Sequence, residues 1–251
     1  MQVLLSFALE MEFAPWRRLR KFARNASDPP SFSARAGAND LRVILTGMGP
    51  DAARRAVLRA LQQTADVCVV CGLAGALRDG YRPGEVLAAS SVREAETHRV
   101  VKSDSALLET ALRAGARECA LCTVKYVVAA AEDKRRVAPL GDIVDMESFA
   151  VMEEAQAREV PAVALRVVSD LAHENLPFDF ASAINPEGGI ETWRAVRMAL
   201  GAPARLPKLL RLAFHSQSAS KSLAQFLESF VTALPDLQQL NAGETEAARN
   251  L

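Results

Sequence analysis

Apolar runs of strand length alternate with helical segments over most of the chain. Strands are predicted over 2–8, 41–45, 66–70, 124–131 and 162–168, and helices over 16–22, 52–63, 105–115 and 148–159. Continuous apolar runs of this length suit strands that are buried on both faces, as in an α/β protein. Pro15 indicates where the first helix begins, because proline is favoured in the first turn of a helix. The pattern therefore predicts an α/β fold.

Two carboxylates are placed where predicted strands end. Glu147 closes an Asp-Met-Glu triplet that follows a short apolar run, and Asp170 follows the strand predicted over 162–168. In open α/β sheets, ligands bind at the carboxyl edge of the strands. We therefore expect Glu147 and Asp170 to lie at one edge of the sheet.

A glycine turn, Gly47 to Gly49, lies between a predicted strand and the N-terminus of a predicted helix. Backbone N–H groups in such a turn can approach an anion or a ribose, although a plain tight turn explains the glycines equally well. Ala52 stands where a dinucleotide-binding fingerprint would need its third glycine. An oxidoreductase with a nucleotide cofactor is therefore disfavoured.

Composition limits the partners of the chain. Its 251 residues have a formal net charge of zero, which argues against a general nucleic-acid binder. Residues 1–13 predict a buried first strand rather than a signal peptide, and no apolar run is long enough to span a membrane. We expect one domain over 1–240, a disordered tail over 241–251 and a cytoplasmic location.

Two basic stretches have alternative interpretations. Residues 192–227 contain no acidic residue, so they could rest on an anionic membrane surface, although a packed helix with a solvated basic face is favoured. Lys134, Arg135 and Arg136 are most simply interpreted as an exposed cationic face.

The four cysteines form two C-x-x-C pairs, a spacing that occurs in zinc sites. Cys68 and Cys71 lie in a predicted strand, where residues three apart point to opposite faces. Cys119 and Cys122 also flank a strand-like run. We therefore expect all four to pack in the core, and we predict no metal site.

The residues around both carboxylates resemble a family signature. Val144-Asp145-Met146-Glu147 followed by Arg166-Val167-Val168-Ser169-Asp170 is similar to the nucleoside phosphorylase/nucleosidase superfamily. Val127-Val128-Ala129 and Glu132-Asp133-Lys134 suggest its hopanoid-biosynthesis-associated branch. The resemblance covers roughly 3–172 and implies a three-layer αβα sandwich with a central mixed, twisted sheet. It also implies a homodimer that binds a small-molecule nucleoside.

The resemblance implies roles for individual residues. Asp170 would protonate the leaving base, Glu147 would bind ribose hydroxyls above an apolar floor made by Met146, and Glu12 would hold the attacking water. Arg166 would hold a carboxylate or the Asp170 loop in place. Further substrate-binding candidates are Gly75, Ser169 and Tyr126.

The chain departs from its relatives at the phosphate site, where Leu73 replaces a serine and Val70 an arginine. Gly47, Gly49, Arg17 and Arg54 are the remaining candidates for an anion or water site. We therefore expect hydrolysis that releases adenine from an adenine nucleoside or a 5′-substituted adenosine, without a cofactor. One alternative is phosphorolysis of an adenosyl-lipid, with inorganic phosphate as co-substrate. Another is a catalytically silent nucleoside-binding protein.

Overall fold

The computed structural model describes residues 1–27, 29–176 and 206–234, and over 206–214 it describes the backbone alone. Within these residues, ten strands form one sheet. The strands are β1 (Gln2–Phe7), β2 (Ala23–Asn25), β3 (Ser31–Ala36), β4 (Asn39–Leu45), β5 (Val67–Ala76), β6 (Val86–Glu94), β7 (Val100–Lys102), β8 (Arg117–Thr123), β9 (Ile143–Asp145) and β10 (Ala162–Asp170). The predicted tail over 241–251 and residues 192–205 of the basic segment lie outside the described residues.

Six helices accompany the sheet in the described part of the chain. They are α1 (Glu10–Arg20), α2 (Pro50–Ala60), α3 (Ser105–Arg113), α4 (Ala131–Val137), α5 (Ser148–Gln156) and α6 (Leu206–Ala233). A short 3-10 helix, Ala138–Leu140, follows α4.

The sheet is mixed, and part of it closes on itself. β1 pairs in parallel with β4 and β5, and β5 pairs in parallel with β10. β6 runs antiparallel to β10 and parallel to β8, β8 runs parallel to β9, and β9 returns antiparallel to β5. Because these five strands, β5, β10, β6, β8 and β9, pair in a closed ring, the ends of β5, β9 and β10 lie close together. The expected central mixed sheet is confirmed.

Helices cover both faces of the sheet, which gives the three predicted layers. One face packs against α1, α3 and α6, and the other packs against α2 and α5. Side chains of β5 pack on both faces of the sheet. Cys71 lies in the core beneath α1, α3 and α6, and Cys68 lies in the core beneath α2 and α5. All four cysteines are buried free thiols, as expected for core residues.

The structure differs most from the predicted elements at three points: the start of the first helix, the strand predicted over 66–70, which runs on to Ala76, and the strand predicted over 124–131. α1 begins at Glu10, before Pro15, because the Glu12 carboxylate accepts the N–H of Leu9 at 3.0 Å and caps the helix. Pro15 then lies inside the helix, where it cannot donate a hydrogen bond to the Met11 carbonyl and its ring crowds that carbonyl. The strand predicted over 124–131 is absent, because the neighbouring strand β9 ends at Asp145 and leaves no partner for these residues.

α6 packs against α1 and β10 through its second half. Leu223, Leu227 and Phe230 are fully buried, and Glu228 accepts hydrogen bonds from Trp16 Nε1 at 2.6 Å and Arg20 Nε at 2.8 Å. In the described part of the chain, no helix is both long and apolar enough to cross a membrane. Residues 215–227 of the basic segment therefore use one face for core packing.

Removing a buried side chain from this contact should destabilise the fold. We expect Leu227→Ala to lower the free energy of unfolding by about 2–5 kcal/mol, because it leaves a cavity under α6. Gln225→Ala, at an exposed position of the same helix, should change it by less than about 0.5 kcal/mol. Urea unfolding followed by circular dichroism measures both, and equal effects would contradict the packing of α6.

Candidate active site

A cavity opens at the carboxyl edge of the sheet, where β1, β5, β9 and β10 end. Its wall contains four carboxylates, those of Glu12, Asp145, Glu147 and Asp170. Much of the remaining wall is apolar. The large apolar side chains are Leu9, Met11, Met48, Leu73, Val124, Tyr126, Val127, Val128, Val144, Met146 and Leu176. All the predicted catalytic and substrate-binding residues line this one cavity: Glu12, Gly75, Tyr126, Met146, Glu147, Ser169 and Asp170.

A buried guanidinium lies behind this acidic wall. Arg166 is 1% exposed, forms an ion pair with Asp145 at 2.5 Å and donates a hydrogen bond to the Ser148 hydroxyl at 2.9 Å. Asp145 also accepts the Ser148 N–H at 3.0 Å and the Thr123 hydroxyl at 2.6 Å. These contacts fix the N-terminus of α5, where Glu147 is the residue before the helix.

Glu147 faces the cavity with one oxygen already engaged. Its Oε1 accepts the N–H of Gly49 at 2.8 Å. Burial, with the nearby charge of Asp145, raises the pKa of Glu147 to about 8, although Arg166 and the Gly49 N–H oppose the shift. The carboxyl group of Glu147 therefore holds its proton to a higher pH than an exposed glutamate does.

Glu12 is held by two backbone donors. Its oxygens accept the N–H of Leu73 at 2.9 Å and the N–H of Leu9 at 3.0 Å. Burial raises the pKa of Glu12 above its usual range, against the opposing effects of the Leu73 hydrogen bond and of Arg166. A buried carboxylate with a raised pKa is a suitable base for activating water.

Asp170 is bound by two donors from the protein. The Ser169 hydroxyl donates to its Oδ1 at 2.6 Å, and the Lys134 ammonium donates to its Oδ2. Lys134 is fully buried, so its interpretation as part of an exposed cationic face is wrong. It shares the inner side of α4 with Val137, whereas Arg135 and Arg136 are exposed. The three-residue spacing from Lys134 to Val137 is the one sequence signal of this placement.

Two glycines of β5 make room for the charged side chains. A Cβ at Gly75 would lie 2.9 Å from Asp170 Oδ2, and a Cβ at Gly72 would overlap the Arg166 guanidinium and lie 3.0 Å from Glu12 Oε1. Both distances are below those of ordinary contacts. Gly75, expected to bind substrate, thus also provides the space that the Asp170 carboxylate occupies.

The anion-site candidates are placed differently. The Gly49 N–H is bound by Glu147, and the Gly47 N–H donates to the Ala8 carbonyl at 3.0 Å. Arg17 pairs with Glu10 at 2.8 Å, and Arg54 pairs with Glu153 at 2.7 Å and Glu154 at 2.6 Å. Neither arginine is part of the cavity wall. The structure therefore does not bring Arg17 or Arg54 to the carboxylates.

Sequence reasoning gave no role to several residues of the site. Besides Lys134, these are the wall residues Asp145, Met48, Leu176 and Ser216. Asp145 was part of the family signature, but its pairing with Arg166 depends on two strands meeting. Ser216 comes from α6, more than forty residues after Asp170 in the chain, and no local pattern connects the two.

The fold and the site define an α/β enzyme with an acidic cavity at the carboxyl edge of its sheet. The family model described as "Phosphorylase superfamily" matches residues 31–189. The chain therefore belongs to the phosphorylase superfamily. A comparison of its sequence with curated proteins gave no match.

Solved structures with a similar fold include two nucleosidases and a hydrolase. The 5′-methylthioadenosine/S-adenosylhomocysteine nucleosidase of Neisseria meningitidis has a TM-score of 0.72 and 18% identity, over 92% of this chain and 99% of that one. Futalosine hydrolase of Helicobacter pylori has a TM-score of 0.71 and 15% identity, over 92% and 97%. The nucleosidase of Campylobacter jejuni has a TM-score of 0.70 and 17% identity, over 92% and 98%. At these identities the similarity establishes the fold.

The raised pKa of Glu147 predicts a pH dependence of stability. A carboxyl group whose pKa is higher in the folded state contributes stability that is fully present below the ordinary value of 4.5 and is lost as the pH rises through about 8. Glu147→Gln removes this contribution. Between pH 5 and 8 we expect the wild type to lose stability relative to Glu147→Gln, by at most on the order of 1 kcal/mol per pH unit.

Urea unfolding at several pH values measures this difference. Glu118→Gln, at an exposed position of β8, is the matched control and should follow the wild type. A constant difference in stability between Glu147→Gln and the wild type across this range would contradict the titration of Glu147.

Proposed function

We propose that this chain cleaves the N-glycosidic bond of an adenine nucleoside or a 5′-substituted adenosine, with water as the attacking group. The superfamily and the nucleosidases among the similar folds support this reaction. Breaking the bond builds positive charge on the ribose and negative charge on the leaving base. A cavity with carboxylates at several positions suits both needs: ionised groups for the sugar and an acid for the base.

In this proposal three of the four wall carboxylates, those of Asp170, Glu147 and Glu12, have one task each. Asp170 donates a proton to the leaving purine, and Ser169 and Lys134 orient it. Glu147 binds ribose hydroxyls through the oxygen that Gly49 leaves free, with Met146 beside it as an apolar floor. Glu12 positions the water and accepts its proton.

The observation that carries the choice of water is the occupation of the backbone donors. The N–H groups of Gly49 and Leu73, in two glycine-containing segments, are already bound by Glu147 and Glu12. Phosphate is a dianion that needs cationic or N–H donors. Here those donors are already bound by protein side chains, so they are not available to a phosphate. Water needs only the hydrogen-bond acceptor that Glu12 provides.

A second candidate is phosphorolysis of an adenosyl-lipid, as in the hopanoid-associated branch. The apolar part of the wall favours it, because Met11, Met48, Leu73 and Leu176 could accommodate an apolar 5′ substituent. Nothing comparable favours a silent nucleoside-binding protein. The homodimer is a proposal that rests on the family resemblance. The membrane contact of residues 192–227 is a proposal that rests on the basic sequence of that segment.

One assay separates the candidates. Purified protein is incubated with adenosine, 5′-methylthioadenosine and an adenosine carrying a 5′-alkyl chain, each with and without phosphate. We expect adenine and free sugar without phosphate, and Glu12→Gln should lower the rate roughly 10²–10⁴-fold, as for loss of a general base. Glu10→Gln, in the same turn of α1, is the control and should keep its activity.

Phosphate-dependent formation of a sugar 1-phosphate would reject hydrolysis and favour the adenosyl-lipid phosphorylase. Binding of the nucleosides without any adenine release would favour the silent binding protein.

The role of Asp170 is tested by Asp170→Asn. We expect kcat for adenine release to fall roughly 10²–10⁴-fold, because the amide cannot donate an acidic proton. Asp79→Asn, at an exposed position, should leave kcat unchanged. Steady-state kinetics and a melting curve measure rate and folding separately, and near-normal turnover in a folded Asp170→Asn variant would exclude Asp170 as the acid.

A further inference from the structure

A second buried cation lies behind Asp170. Lys134 is 0% exposed, and its ammonium group donates to Asp170 Oδ2 and to the Leu171 carbonyl, the latter at 2.7 Å. The residue belongs to α4, a helix that supplies none of the wall carboxylates. It reaches the cavity only through Asp170.

The buried ion pair of Lys134 and Asp170 is poorly explained by a contribution to the stability of the fold alone. Burying an ammonium group costs several kcal/mol, and a buried ion pair is often replaced by apolar residues without loss of stability. An apolar side chain at residue 134 would fill the same space beside Val137. The structure instead places a cation against one carboxylate of the candidate active site, and this placement points to a role in the reaction.

Helix α4 and the strand end are joined at more than one point. The Ala131 N–H donates to Asn175 Oδ1 at 2.7 Å, and the Leu176 N–H donates to the Ala129 carbonyl at 2.8 Å. With Lys134 between them, α4 and residues 170–176 form one connected unit. The orientation of the Asp170 carboxyl group is therefore set by α4 as well as by β10.

We infer that Lys134 is a positioning residue for the leaving-group acid, an inference that rests on the proposed function. As the glycosidic bond breaks, its electron pair moves to the purine, and the proton of Asp170 moves to a ring nitrogen. Asp170 is left as a carboxylate, and the ammonium of Lys134, which keeps its own protons, balances the new charge. Between turnovers, the proton that Glu12 took from the attacking water is passed back to Asp170 through water in the open cavity, which restores both carboxyl groups.

Leaving-group dependence tests this role, because a merely structural residue would not change it. Lys134→Met is compared with Arg135→Met, which removes an exposed cation from the same helix. The substrates are adenosine, or the best nucleoside of the panel, and 4-nitrophenyl riboside, whose leaving group needs no proton. We expect Lys134→Met to slow nucleoside cleavage at least roughly tenfold, part of the 10²–10⁴-fold effect of an acid. Cleavage of the nitrophenyl riboside should change less than about threefold.

A double-mutant cycle with Asp170→Asn gives a second measurement. If Lys134 acts through Asp170, Lys134→Met should cause little further loss of nucleoside cleavage once Asp170 is Asn. The double variant also removes both buried charges, so it should fold even where Lys134→Met alone is destabilised. Its melting temperature should therefore lie closer to that of the wild type.

The outcomes separate this inference from the proposed function. Equal losses on both substrates, or independent effects in the cycle, would overturn the role of Lys134 while the wild type still releases adenine. A Lys134→Met variant as active as Arg135→Met would do the same. A wild type that releases no adenine from any nucleoside would overturn the proposed function, and the inference with it.

Discussion

The buried guanidinium of Arg166 is the constraint on which the acidic cavity depends. Burying several carboxyl groups in one place is unfavourable unless a cation compensates them. Arg166 pairs with Asp145, and its charge opposes the effect of burial on the pKa of both Glu147 and Glu12. It lies in β10 at a point where only a glycine, Gly72, can stand on the neighbouring strand. The sheet and the site are thus coupled through a single side chain.

The closed part of the sheet explains why these groups meet. β5 pairs with both β9 and β10, so the chain segments that carry Glu147 and Asp170 leave the sheet next to each other. β1 also pairs with β5, and it delivers Glu12 from the other side. Acids from distant parts of the sequence therefore share one cavity without any loop having to reach across it.

The use of backbone donors decides what chemistry such a site can favour. In this superfamily member the backbone amides of Leu73 and Gly49, which could hold an anion, are bound by the protein's own carboxyl groups, Glu12 and Glu147. The arginines that could have replaced them are paired elsewhere on the surface, Arg17 with Glu10 and Arg54 with Glu153. The proposed sugar site is thereby lined by carboxyl groups and not by Arg17 or Arg54, which suits a developing cation and a neutral nucleophile.

The sequence by itself determined the α/β class, four of the ten strands, most of the helices, and the delivery of Glu147 and Asp170 to one edge. These follow from local periodicity and from the ends of apolar runs, which depend on neighbours in the chain. The burial of Lys134 and the end of β8 at Thr123 were decided by tertiary structure alone. A charged side chain is buried or exposed according to the partner that a distant strand presents, and a strand continues only where another strand lies beside it. Neither the partner of a buried charge nor the neighbour of a strand can be deduced from the residues that are adjacent in the sequence.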